Sequence, residues 1–242
     1  MKKVQTERIK KLHKLFLEGK VKGPEQHEVH PDLDKGSREN YLYFTLPCSV
    51  NFQRSSPALW KSALLTYEDP DTNYLFFPEI VVKTDYEKVK NDLRKHKLSM
   101  QPNKHCKIWV ALSNTLNSHY KSDPREVLKE KNFSVPSIIS MLQIEKKSLF
   151  PYLGGIKLSN YWLFILAYFT DVNFKFVEEI SIIPDTHVIQ SSIQLGVIDE
   201  GTADTKKVEA AWRVILKELS IPPTEMHSAL WRWSRESFNP VV

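Results

Sequence analysis

The sequence predicts a mainly α protein. Apolar residues recur at three- and four-residue spacing along most of the chain, prolines fall where helices would begin, and only 7 glycines occur among 242 residues. Strand-like alternation is confined to residues 41–46 and 78–83.

The first helix is expected at 4–18, where Ile9, Leu12, Leu15 and Phe16 form one apolar stripe and lysines fill the remainder. Residues 23–40 are polar, with Gly23, Pro24, Pro31 and Gly36, and read as a linker or long loop. Further helices are expected near 58–67, 84–97, 106–119, 124–131, 135–147 and 157–169, then near 173–181, 186–195, 205–219 and 223–237. Glu68-Asp69-Pro70-Asp71, Ser122-Asp123-Pro124, Val135-Pro136 and Ile221-Pro222-Pro223 separate them. Proline suits the first helical turn because the N–H it lacks has no partner there. With so few glycines, left-handed backbone is expected to be rare, which makes the pair Gly154-Gly155 informative.

Composition excludes several classes. A chain 41% hydrophobic and 26% charged can bury a core without disulfide or metal staples. Cys48 and Cys106 are too few and too far apart for a zinc site, so no metal is expected, and they fit a reducing compartment. The longest apolar run, Tyr161 to Phe169, is short of a membrane span, and the charged N-terminus lacks the apolar core of a secretory signal. The net charge of +5 is local: residues 1–22 hold eight Lys and Arg against Glu7 and Glu18. That segment is either a packed helix with a solvated lysine face, the plainer reading, or a basic arm for nucleic acid. A second basic run, Lys83 to Lys107, poses the same choice.

Two stretches carry the chemistry. In Leu149-Phe150-Pro151-Tyr152-Leu153-Gly154-Gly155-Ile156-Lys157-Leu158-Ser159-Asn160, a glycine turn leads into a helix whose first N–H groups are uncovered donors suited to phosphate. The plainer reading is a tight helix–helix turn. Lys157 stands at the positive end of the helix dipole; if Phe150, Leu153 and Trp162 also exclude water from it, both effects favour the neutral, nucleophilic amine. In Ser181-Ile182-Ile183-Pro184-Asp185-Thr186-His187-Val188, Asp185 is a helix N-cap, which holds an ionised carboxylate rigidly. It is either only a cap or a group that stabilises developing positive charge.

At these residues the sequence resembles the helix-hairpin-helix DNA glycosylase/lyases, in which a Gly-x-Lys hairpin is followed by an Asp-x-His or similar motif. Gly155-Ile156-Lys157 and Asp185-Thr186-His187 are the matching stretches. The branch most similar is the archaeal 8-oxoguanine DNA glycosylase type, with its long lysine-to-aspartate connection and matching features at Leu195-Gly196-Val197-Ile198, Ala211-Trp212, Ser220-Ile221-Pro222-Pro223 and Ala229-Leu230-Trp231. The resemblance spans 45–238 and is strongest from 150 onward.

The resemblance implies a helix-hairpin-helix glycosylase fold over residues 41–238, with the hairpin near 135–169 and two helical subdomains flanking an active-site cleft. It implies Lys157 as Schiff-base nucleophile and Asp185 as the assisting carboxylate. Tyr161, Trp231 and Trp60 would line the pocket for a flipped base, whose two π faces need cover. Trp109, Trp162 and Trp212 read as core. His227 stands where that branch has an acidic reader of the purine edge; histidine donates as well as accepts, so base preference departs there. Gly154, Gly155, His187 and the stretch Asn51, Gln53, Arg54 would contact DNA, the last three filling the gap left by the base. The implied activity is DNA repair by excision of a damaged base, 8-oxoguanine foremost, with β-elimination at the abasic site. The alternatives are another modified base, including those of foreign DNA, or a non-catalytic helical DNA-binding protein. No cofactor, a duplex DNA partner, a monomer, and a cytoplasmic, nucleoid-associated location are the accompanying expectations.

Overall fold

A computed structural model of the chain describes residues 3–22, 28–201 and 204–242. Gly23, Pro24 and the rest of 23–27, part of the expected linker, lie outside the described residues. The protein is mainly helical, and no strand element forms among the described residues. The helices are α1 (Lys3–Leu17), α2 (Arg38–Thr45), α3 (Ser56–Glu68), α4 (Pro78–Val81), α5 (Tyr86–Lys95) and α6 (Pro102–His119). They continue with α7 (Pro124–Glu130), α8 (Val135–Ser140), α9 (Ile156–Phe169), α10 (Thr186–Gln194), α11 (Thr205–Leu219) and α12 (Pro223–Arg235). No described helix is long and apolar enough to cross a membrane.

The chain divides into two compact units, one of residues 1–26 with 177–242 and one of residues 27–176. The first is built from α1, α10, α11 and α12 around Ile9, Leu12, Val188, Trp212, Met226, Leu230 and Trp233. α1 is part of this unit. The apolar stripe explains it: Ile9 and Leu12 are fully buried, Leu15 and Phe16 pack against the same core, and the guanidinium of Arg232 lies 5.6 Å from the Phe16 ring centre. His13 Nε2 pairs with Glu225 Oε2 at 2.7 Å, so even the polar edge of α1 is tied to α12.

In the second unit, α2 and α9 lie against each other and α6 packs on α4 and α5. Its centre is aromatic: Tyr43, Phe44, Trp60, Phe76, Trp109 and Trp162 are buried. Buried indoles need acceptors. Trp109 Nε1 donates to the Leu75 carbonyl at 2.8 Å and Trp162 Nε1 to Thr45 Oγ1 at 2.9 Å; in the other unit Trp212 Nε1 donates to Ser192 Oγ at 2.8 Å.

Several sequence expectations need correction. Residues 41–46 are helical, not strand-like: Ser37 caps the N-terminus of α2, and Tyr41 through Leu46 are all buried, so their alternation did not mark one wet face. Residues 78–81 form a short helix opened by Pro78, with Pro78 and Val81 buried three positions apart. Residues 173–181 are not one helix. Lys175 pairs with the 133–135 segment through N–H to the Phe133 carbonyl at 2.9 Å and carbonyl to the Val135 N–H at 3.1 Å, and only Val177–Glu179 makes a 3₁₀ turn. The assigned linker is structured over its described part. The Tyr43 hydroxyl donates to the Val29 carbonyl at 2.7 Å, His30 sits edge-on to Phe44 and Phe169, and Arg38 begins α2. Left-handed backbone is also commoner than expected, with Gln53, Lys97, Ser122, Phe133, Tyr152, Phe176 and Ser220 among its non-glycine occupants.

Candidate active site

The hairpin expected near 135–169 does not begin with one continuous helix. α8 passes into a π-helical turn, Met141–Glu145, then a 3₁₀ turn, Lys147–Leu149, before the chain reverses into α9. The Lys146 N–H reaches the Met141 carbonyl at 2.8 Å, the five-residue bond of a π turn, and Gln143 Nε2 donates to Ser159 Oγ at 2.8 Å, joining the two sides of the reversal. Such turns widen a helix and expose its carbonyls to new neighbours.

The reversal explains its own glycines. A Cβ on Gly154 would lie 2.3 Å from the Leu142 carbonyl oxygen, so the chain crossing tolerates no side chain there. Gly155 is the N-cap of α9 in extended geometry, and no side chain caps the helix. The first turn of α9 contains no acidic residue and no side-chain cap, which leaves its N–H groups the uncovered donors that suit an anion. The left-handed residue of the turn is Tyr152, at φ +62°, not a glycine.

Lys157 lies in that first turn and is exposed. Phe150, Leu153 and Trp162 are buried at 1%, 0% and 0% exposure. Lys157 is nevertheless exposed, so the condition that these apolar neighbours exclude water from its amine is not met. Lys157 makes no hydrogen bond or ion pair with another described residue, so its Nζ is available to a ligand.

One helical turn on, Tyr161 is 8% exposed, and its hydroxyl is the hub of a buried polar group. Trp60 Nε1 donates to it at 2.8 Å, Ser56 Oγ lies at 2.7 Å, and Glu28 Oε1 accepts from it at 3.4 Å. Glu28 Oε2 is buried without a partner among the described residues, and burial pushes this carboxyl above the usual carboxylate range. Burial likewise raises the Tyr161 phenol and the Cys48 thiol. Trp60 is fully buried between Tyr43 and Phe44, so its indole serves to anchor Tyr161 and presents no open face. Glu28 was missed in the sequence reading because a lone acid in a polar stretch carries no periodic signal.

The Asn51–Arg54 stretch is held by the second unit itself. Asn51 Nδ2 donates to Ser56 Oγ at 3.3 Å, and Gln101 Nε2 donates to Gln53 Oε1 at 2.6 Å. Arg54 donates to the carbonyls of Lys97, Leu98 and Ala58 and to Ser62 Oγ, and burial lowers its pKa. Its guanidinium is therefore a clamp within the fold, not a free side chain for filling a gap in DNA. Asn51 and exposed Gln53 remain at the surface end of the loop.

In the other unit, Asp185 caps α10: its Oδ1 accepts the Val188 N–H at 2.9 Å, and its own N–H donates to the Ile183 carbonyl at 2.8 Å. The side chain is only partly covered, so one oxygen is fixed by the cap while Oδ2 takes no donor from a described residue. His187, two residues on, places Nδ1 3.1 Å from Ser234 Oγ and sets its ring edge-on to Trp231 with centroids 5.6 Å apart. The guanidinium of Arg235 lies 5.5 Å from the Trp231 ring centre. Trp231 is half-buried, and His227 sits one turn before it on α12. Asp185, His187 and Trp231 are thus brought together by the packing of α10 on α12.

Among the described residues no cluster of His, Cys, Asp or Glu has the makings of a metal site. The chain matches no protein-family model and no curated protein sequence.

Proposed function

We propose that this chain is a DNA base-excision glycosylase of the helix-hairpin-helix kind with abasic-site lyase activity. The observation that carries the reading is Lys157 itself. It is an exposed lysine, unpaired among the described residues, in the first turn of a helix with no side-chain cap, and the turn before it is shaped by a glycine whose Cβ would meet the Leu142 carbonyl. Backbone N–H groups at that helix start bind the phosphates beside a flipped nucleotide. The free amine of Lys157 attacks the anomeric carbon, the C–N bond to the base breaks, and the base leaves with the bonding pair. The resemblance assigns to Asp185 the role of the carboxylate that stabilises the oxocarbenium-like charge and takes a proton from the lysine nitrogen. The nitrogen lone pair then opens the sugar ring, breaking C1′–O4′ as O4′ takes up a proton, and the resulting imine permits loss of the C2′ proton and β-elimination of the 3′ phosphate.

The leading substrate is 8-oxoguanine. A different modified base is the second reading, and His227 favours it, because an imidazole replaces the acid that would read a purine edge. Half-buried Trp231 offers an aromatic face for the extruded base, while Tyr161, only 8% exposed, is held by Trp60 through its hydroxyl.

Borohydride trapping tests the chemistry. Wild-type protein incubated with duplexes carrying 8-oxoguanine or an abasic site is expected to form a covalent adduct that Lys157→Ala abolishes. No adduct on any damaged or abasic duplex overturns the lyase reading and leaves a non-catalytic DNA-binding protein. A panel of modified bases, repeated with His227→Asp, decides the substrate. If the variant gains 8-oxoguanine excision that wild type lacks, the leading substrate is wrong.

A further inference from the structure

Three segments of the second unit converge on a surface feature that the proposed chemistry does not use. Phe52, from the loop before α3, stacks on Tyr152, from the hairpin turn, with ring centroids 4.7 Å apart and planes 17° from parallel. Lys104, in the first turn of α6, places its ammonium 4.8 Å from both ring centres. His105 closes the inner side, edge-on to Phe52 at 4.8 Å. Tyr152 is 42% exposed, and Lys104 is exposed as well.

The arrangement is costly as architecture alone. Tyr152 holds a left-handed φ of +62°, a conformation poorly suited to a bulky residue, to place its ring there. Lys104 sits at the N-terminal end of α6, where the helix dipole disfavours a cation; that end carries no acidic residue and no side-chain cap. A part-exposed tyrosine ring beside an ammonium that has no acidic partner among the described residues matches a ligand with a flat π face and a nearby anion. A nucleotide has both.

We propose that Phe52, Tyr152 and Lys104 form a stacking platform for an unpaired base of the bound DNA strand, with Lys104 on the adjoining phosphate. The proposal rests on DNA being the substrate, and it adds a contact distinct from the flipped base. The platform shares the hairpin turn with Gly154 and Gly155, so a strand whose phosphates lie on the start of α9 passes directly by Tyr152. The protein then prefers DNA with a locally unpaired base over a fully paired duplex.

Tyr152→Gly is the informative variant, because glycine adopts the same φ without strain and removes the ring. Fluorescence anisotropy is measured on two labelled duplexes, one fully paired and one with a single bulged base, alongside borohydride trapping on abasic DNA at saturating protein. Tyr152→Gly is expected to weaken binding of the bulged duplex by about tenfold, the loss of one base–aromatic stack, and to leave the paired duplex within about twofold. Tyr152→Trp retains the preference, and Lys104→Met flattens the salt dependence. Equal affinities of wild type and Tyr152→Gly for the bulged duplex, or equal losses on both duplexes, overturn the platform. Trapping distinguishes the two failures: an adduct retained by Tyr152→Gly keeps the lyase reading while the platform falls, whereas no adduct even with wild type removes the lyase reading itself.

Discussion

The indole N–H of Trp60 donates to the hydroxyl of Tyr161 at 2.8 Å, a bond between two rings that are both almost wholly buried. Tyr161→Phe keeps the ring but leaves that indole donor with no acceptor. An orphaned buried donor costs about 1–3 kcal/mol. Urea unfolding is expected to show a loss of that size, while excision by folded Tyr161→Phe stays near wild type because the hydroxyl serves as an anchor and not as a catalyst. Unchanged stability would show that the hydroxyl is not the hub of the group.

Glu28 predicts a stability that falls as pH rises. Its native carboxyl titrates above the ordinary value because burial disfavours the charged form, so between the two values the native state binds more protons than the unfolded state. The stability cost of ionising Glu28 is therefore absent at low pH, grows as pH rises through the native titration, and is complete above it. Glu28→Gln keeps an acceptor for Tyr161 and removes the charge. The variant is expected to be more stable than wild type at neutral pH, and the advantage should vanish as pH falls to about 4.5. Melting temperatures of both proteins across pH 4–8 check this; a difference that does not change with pH counts against a buried ionised carboxylate.

Gly154→Ala tests the chain crossing at the hairpin. The added methyl would meet the Leu142 carbonyl at 2.3 Å, and the obstacle is backbone. Relief requires the π-helical turn at Met141–Glu145 to shift away from α9. A loss of more than about 2 kcal/mol is expected, in the range of strained core substitutions, together with loss of DNA binding at the helix start. Gly155→Ala meets the Tyr152 carbonyl oxygen at 3.0 Å and should cost less. If Gly154→Ala melts at the wild-type temperature, this glycine is not needed to bring the two backbones together.

Sequence carried the elements whose signals are local. The starts of α9 and α10 were legible because Gly155 and Asp185 stand directly before apolar helical runs, and the apolar stripe of the first 17 residues marked α1. Residues 41–46 misled because a segment buried on every side has no face whose period can be read. Residues 173–181 misled because the fate of Lys175 is decided by pairing with Phe133 and Val135, distant in sequence. The same limit applies at the candidate site. Lys157 and Asp185 announce themselves by their helix positions, but the exposure of Lys157, the role of Arg54 as a clamp and the buried oxygen of Glu28 depend on tertiary neighbours. Phe52 and Tyr152 each lay inside a stretch already singled out, yet only the fold brings their rings together.

Asp185→Asn separates capping from chemistry. The Oδ1 that accepts the Val188 N–H at 2.9 Å is supplied equally well by an asparagine, which caps helices about as strongly as aspartate. The substitution therefore leaves α10 capped and the melting temperature nearly unchanged, within about 0.5 kcal/mol of wild type. It removes the negative charge that would stabilise an oxocarbenium-like sugar and the basic oxygen that would accept the lysine proton. If Asp185 has the proposed role, single-turnover base excision falls by about a hundredfold or more, the scale of losing a fixed electrostatic group. Binding of undamaged duplex is unaffected, because Asp185 contributes nothing favourable to phosphate contacts. Asp185→Ala is expected to lose both activity and about 1 kcal/mol of stability, since it removes the cap as well. Wild-type excision rates in Asp185→Asn would reduce this residue to a helix cap and shift the search for the assisting base elsewhere.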